Sequence, residues 1–194
     1  MKASALLDTS FLITLVNENR PNHEAAKQYF RHMLQTDVPM YLSAIAAGEF
    51  SVKQPITDLP LNHFRMLNFN VAHGQLAARL LNALESRDAG DGRVAVRDDV
   101  KLMAQASHEQ ISFILTEDAS TLQKYCDRLR HSGLIQTRTI TLKDAFDANA
   151  FNADGQRGFG FTDSDESDTK SPASAGFSLG VSCAVRPSDE QVFP

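Results

Sequence analysis

The chain has 194 residues, room for one sizeable domain with an appendage. Its hydrophobic fraction of 42% and charged fraction of 22% are those of an ordinary globular protein, which excludes a wholly disordered or fibrous chain. The net charge of −5 is uneven: residues 1–150 hold 16 basic against 17 acidic side chains, and residues 151–194 hold 3 against 7. A general basic nucleic-acid binder is thereby excluded, and any such contact must come from a local patch. Cys126 and Cys183 are too few and too far apart for a disulfide framework or a zinc cluster, and suit a reducing compartment. The start, Met1 to Asp8, is too poor in apolar residues for a signal peptide, and no stretch approaches a membrane span. The expectation is a soluble, cytoplasmic protein without membrane contact.

Ala5-Leu6-Leu7 is a short apolar run closed by Asp8, and reads as a buried parallel strand feeding a helix. That helix runs from Ser10 to Glu18, with Phe11, Leu12, Leu15 and Val16 on one face. After Pro21-Asn22, the positions Ala25, Ala26, Tyr29, Phe30, Met33 and Leu34 predict a second amphipathic helix. Pro39 opens a strand at Met40–Leu42, and a helix over Ala44–Lys53 carries Glu49. Pro55 to Pro60 is a loop. Phe64–Phe69 is ambiguous, extended or irregular. Leu76, Ala77, Leu80, Leu81 and Leu84 mark another helix, and Arg87 to Gly92 is rich in turn residues. Asp98-Asp99 precedes a helix with Val100, Met103 and Ala104 inward. Ile111–Leu115 is a second buried strand, and Asp118 precedes a helix with Leu122, Tyr125, Cys126 and Leu129 inward. A strand at Thr137–Leu142 and a short helix at Asp144–Ala148 complete the pattern. Helices separating short apolar strands predict an α/β fold, a Rossmann-like parallel sheet flanked by helices on both faces. From Phe151 the texture turns to Gly, Ser and Asp without apolar period. The boundary is therefore a domain over 1–150 and a disordered tail over 151–194, with a peptide that docks on a partner or on its own domain as the alternative.

Four acids far apart in sequence, Asp8, Glu49, Asp99 and Asp118, organise the functional reading. In open α/β sheets ligands gather beyond the carboxyl ends of the strands, where Asp8 and Asp118 fall. Asp8, Asp99 and Asp118 also precede helical patterns, where Asp serves as an N-cap; of Asp98 and Asp99, one caps while the other faces the site. Glu49 lies inside a helix among Ile45, Ala46, Ala47, Gly48 and Val52, where a charge is costly unless compensated. Lys53 at i+4 is the alternative partner. Four acids on one edge repel one another unless a cation joins them, and carboxylate oxygens suit hard divalent ions, Mg²⁺ or Mn²⁺. Such an ion neutralises phosphate charge, activates water and stabilises a leaving oxygen. Thr9, Ser10 and Thr116 supply hydroxyls that orient the acids. For nucleic acid, Arg93, Arg97 and Lys101 lie near Asp99, and Lys124 and Arg128 share a helix face after Asp118; a solvated face is the alternative.

The order Asp8-Thr9-Ser10, then Glu49 in a helix, then Asp99-Val-Lys-Leu-Met-Ala-Gln-Ala, then Leu115-Thr116-Glu117-Asp118 resembles a PIN-domain nuclease, nearest to the VapC-type ribonuclease toxins. The resemblance covers residues 3–145. It implies a Rossmann-like sheet, Mg²⁺ or Mn²⁺, and endonucleolytic cleavage of RNA that leaves 5′-phosphate and 3′-hydroxyl ends. It also implies that Asp8, Glu49, Asp99 and Asp118 are the metal-binding acids, with Ser10 and Thr116 in support, and that an antitoxin and a homodimer are the partners to expect. The chain is longer than a typical toxin of this type, and the acidic tail has no counterpart in it. A second reading is a catalytically silent PIN-like module that binds RNA or protein, its acids acting as caps. Other chemistries fail on the residues: no Gly-rich phosphate loop follows a strand, and no nucleophile elbow occurs.

Overall fold

The computed structural model describes residues 3–84, 88, 90–143 and 145–152. The run Ala5–Leu7 (β1) is buried on both faces, and this is why it needs no polar alternation. It pairs in parallel with Met40–Ser43 (β2) on one side and Phe113–Thr116 (β4) on the other. Phe64–Leu67 (β3) and Arg138–Thr141 (β5) form the edges, so the order is β3-β2-β1-β4-β5, all parallel. The helices are Thr9–Val16 (α1), His23–Gln35 (α2), Ala44–Ser51 (α3), Val71–Ala83 (α4), Arg93–His108 (α5) and Lys124–His131 (α6).

Strand alternation divides the core. Ala5, Leu7, Phe113 and Leu115 face a cluster with Phe11, Leu12, Tyr29, Met33 and Phe50. Leu6 and Ile114 face the opposite cluster, with Leu80, Val100, Met103 and Tyr125. The parallel sheet with helices on both faces is therefore the architecture that the sequence predicts.

Four details differ from the sequence reading. The ambiguous segment at Phe64 is a strand, and its exposed Arg65 and Met66 explain the weak signal, since an edge strand buries little. Helix α5 begins at Arg93, directly after Gly92, rather than after Asp98-Asp99. Phe151, assigned to the tail, is buried against Tyr29 and Phe113 and closes a short 3₁₀ turn, Ala148–Phe151. This turn follows the position expected for the last short helix, whose Asp144, like the tail over 153–194, lies outside the described residues.

Leu6 is completely buried in the central strand. Leu6→Ala should cost about 2–5 kcal/mol in urea unfolding through lost transfer energy and the cavity left behind. A loss under about 1 kcal/mol would contradict this packing.

Candidate metal centre

From β1 the chain runs outward to β2 and β3, then returns to β4 on β1's other side. The connections after β1 and β4 thus depart in opposite directions and open a crevice at the carboxyl ends of those two strands. Asp8 follows β1 and Asp118 lies two residues beyond β4, so both stand at this crevice. The ladder continues past β1: the Asp8 N–H donates to the Leu115 carbonyl at 3.0 Å.

Asp8 is buried and caps α1. Its Oδ2 accepts from Ser10 Oγ at 2.5 Å, Thr116 Oγ1 at 2.8 Å and the Ser10 N–H at 3.2 Å. Those hydroxyls are themselves aligned, Ser10 Oγ accepting from the Glu117 N–H at 2.8 Å and Thr116 Oγ1 from the Asp118 N–H at 2.9 Å. Each hydroxyl has one proton, so donation to Asp8 leaves none for the 3.0 Å contact between Ser10 and Thr116. Burial pushes the Asp8 carboxyl above the usual carboxylate range, against the opposing hydrogen bonds from Ser10 and Thr116.

Glu49 is half-buried within α3, where Oε2 accepts from Thr9 Oγ1 at 2.5 Å. Among the described residues it makes no ion pair with Lys53. Asp99 is likewise inside a helix, seven residues into α5, and does not cap it; Gly92 holds that position. Asp118 caps the turn Ala119–Gln123, accepting from Ser120 N at 2.7 Å and Thr121 N at 3.0 Å on Oδ1. Asp8 and Asp118 are thus helix or turn caps, whereas Asp99 and Glu49 have no capping duty.

Desolvation first, then the charges of Asp8, Asp118 and Glu49, raise the Asp99 carboxyl to about 7, with a hydrogen bond from Thr121 opposing. Desolvation also acts upward on Asp118, but hydrogen bonds from Ser120 and Thr121 outweigh it and hold that group low. The four acids are therefore electrostatic neighbours.

The remaining candidates are placed less centrally. Asp98, adjacent to Asp99, pairs with Lys101 at 2.6 Å. Lys124 bonds Asp91 at 2.5 Å and Arg128 bonds Asp88 at 2.6 Å, both cations lying over the Tyr125 ring. Arg93 and Arg97 are exposed and, among the described residues, form no ion pair. Two further features escape the sequence reading. Glu117 turns away from the crevice and binds Thr14 Oγ1 and Asn22 Nδ2, both at 2.9 Å, and Arg20, which ties the loop after α1 to β4. Thr121 reaches both Asp99 and Asp118. Its spacing, three residues after Asp118 as in a capped first turn, is the signal that could have found it.

The donor set fits a hard divalent ion. It consists of carboxylate oxygens with hydroxyl support, and the charges of Asp8, Asp118 and Glu49 add to desolvation in raising Asp99. Cys126 is no competitor, since burial pushes its thiol up to about 12. A tighter set of ligand-type atoms occurs elsewhere: those of His73, His108 and Glu109 lie within 4.8 Å of one another. That set is poorly suited to a metal. His73 Nδ1 accepts from the Asn70 N–H at 3.1 Å in the cap of α4, so its proton resides on Nε2, directed at Glu109 Oε1 at 2.8 Å. Coordination through Nε2 would need that proton moved to Nδ1, against a backbone donor.

These shifts carry a sign. Asp99 binds its proton more tightly folded than unfolded, so its contribution is fully present below about pH 4 and is lost as pH rises through about 7. Asp8 acts in the same sense. Asp118, held low, acts in the opposite sense, and its contribution is lost only as the solution becomes more acidic than the ordinary carboxylate range. Metal-free protein should therefore melt higher at pH 5 than at pH 7.5, and Asp99→Asn should flatten that slope while raising the melting temperature at pH 7.5. An unchanged slope in Asp99→Asn, read by calorimetry in EDTA, contradicts the crowded site.

No family model matches the sequence, and neither does any curated protein. Solved structures do. FitAcB from Neisseria gonorrhoeae superposes with a TM-score of 0.51 at 16% identity, covering 72% of this chain and 98% of that one. VapBC2 from Rickettsia felis, bound to a DNA fragment from its promoter, gives 0.49 at 12% identity over 71% and 97% of the two chains. VapC20 from Mycobacterium tuberculosis, a toxin that cleaves the sarcin-ricin loop, gives 0.46 at 17% over 70% and 99%. With its parallel β3-β2-β1-β4-β5 sheet and its likeness to FitAcB, the chain has a PIN-like α/β fold.

Proposed function

We propose that the chain is a Mg²⁺- or Mn²⁺-dependent endoribonuclease, the toxin of a toxin–antitoxin pair, working as a cytoplasmic homodimer with an antitoxin protein as partner. The observation that carries this reading is the meeting of Asp8, Glu49, Asp99 and Asp118, from β1, α3, α5 and the end of β4, in one electrostatic neighbourhood. The PIN-domain fold supports it, as does the sequence resemblance to VapC-type toxins. No helix among the described residues is long and apolar enough to cross a membrane.

The four acids are the residues that would hold the cation. When bound, such an ion neutralises phosphodiester charge and lowers the pKa of attacking water. The protein's own contribution is orientation. Ser10 and Thr116 fix Asp8 through Oδ2, and neither engages Oδ1. Thr9 fixes Glu49, and the backbone of the turn after β4 fixes Asp118.

For the RNA strand, Arg93 and Arg97 are the better phosphate contacts, because Asp88 and Asp91 already compensate Lys124 and Arg128, and Asp98 compensates Lys101. A silent PIN-like module remains the second reading. It is favoured by the capping geometry of Asp8 and Asp118, and it gives Glu49 and Asp99 no task.

Purified protein incubated with mixed RNA should cleave it in Mn²⁺ and not in EDTA, and Asp8→Asn should lower the rate by roughly 100-fold or more. Cleavage that persists in EDTA or in Asp8→Asn contradicts the proposal. In RNA binding by Asp8→Asn protein, replacing Arg93 and Arg97 by Ala should reduce the slope of log K against log salt by about 0.7 per lost contact. Lys124→Ala should change it less; the reverse order contradicts the assignment.

A further inference from the structure

Among the described residues, Thr121 is the one side chain whose hydroxyl touches two of the four acids at once. Its Oγ1 stands 2.6 Å from Asp99 Oδ2 and 2.6 Å from Asp118 Oδ2. The geometry that brings it there is local and unusual. Residues Ala119–Gln123 form a π-type turn, with the Gln123 N–H directed to the Asp118 carbonyl five residues back at 3.3 Å. Wide turns of this kind are rare and concentrate at functional sites. Thr121 is buried, so its hydroxyl has no water shell to fall back on. Its backbone N–H also donates to Asp118 Oδ1, so Asp118 is gripped on both oxygens by this one residue.

The two acids reach Thr121 from separate elements, Asp99 from α5 and Asp118 from the end of β4. Without a group between them, like charges would drive these carboxylates into divergent rotamers. Both Oδ2 atoms accept from this one hydroxyl, whose single proton lies between them, and both are so held within about one hydrogen-bond length of a common point. We propose that Thr121 is a positioning residue of the acidic crevice: its hydroxyl sets the rotamers of Asp99 and Asp118 so that both present oxygens to the same divalent cation. This rests on the reading of the four acids as a cation site and extends it to a residue outside the acid pattern.

The test is Mn²⁺ titration calorimetry on metal-free full-length protein, with melting in EDTA as the second readout. Thr121→Val keeps the branched shape and removes the hydroxyl; Thr121→Ser keeps the hydroxyl. Thr121→Ala serves as the hydroxyl-free variant if the valine protein does not fold. The expected result is a Kd for Mn²⁺ weakened about 10- to 100-fold in Thr121→Val and restored to within about threefold of wild type in Thr121→Ser. Equal affinity in Thr121→Val and wild type overturns the proposal. So does equal weakening in Val and Ser, which would make the side chain's packing the cause. Absence of Mn²⁺ binding by wild type overturns the underlying cation-site reading, and is told apart because it precedes any variant.

Discussion

Negative charge gathered near the carboxyl ends of two central strands is the constraint to which the rest of this structure answers. Four carboxylates are electrostatic neighbours, and one of them, Asp99, is driven to about 7 by desolvation and by the other three. Among the described residues these cations pair elsewhere: Lys101 on Asp98, Lys124 and Arg128 on Asp91 and Asp88, Arg20 on Glu117. What the crevice contains instead is hydroxyls. Thr9, Ser10 and Thr116 each donate to one of the acids and Thr121 is shared by two, and neutral donors orient carboxylates without cancelling their charge.

The scaffold makes this arrangement affordable. β1 and β4 are buried on both faces, and the alternation of Leu6 and Ile114 against Leu7 and Leu115 anchors both strands in two separate cores. Their carboxyl ends are therefore packed on both faces, and Asp8 continues the ladder through the Leu115 carbonyl. Glu117 adds a clasp on the outer side, drawing in Thr14, Asn22 and Arg20 while its backbone N–H supports Ser10. One tripeptide, Thr116-Glu117-Asp118, thus serves the crevice, the loop after α1 and the cap of the next turn.

Much of this was legible in the residues. The apolar runs ending in Asp8 and near Asp118 predicted the strands, and Glu49 stood out as an acid within a helix. The sequence pattern places Asp99 at a helix start, whereas it lies inside α5, because the glycines at 90 and 92 and the doubled acids blur where that helix begins. β3 stayed ambiguous because an edge strand with Arg65 and Met66 exposed shows little apolar pattern. The compensation of Lys124 and Arg128 was out of reach, since their partners lie 33 and 40 residues earlier in a turn-rich loop. Thr121 escaped because its reach to Asp99 depends on the turn's geometry and on a contact 22 residues back.

Crystals grown with Mn²⁺ and measured at the manganese absorption edge give the most direct test. A four-acid cation site requires an anomalous peak about 2 Å from carboxylate oxygens of at least two of Asp8, Glu49, Asp99 and Asp118. A peak confined to His73, His108 and Glu109, with nothing in the crevice between β1 and β4, would contradict it.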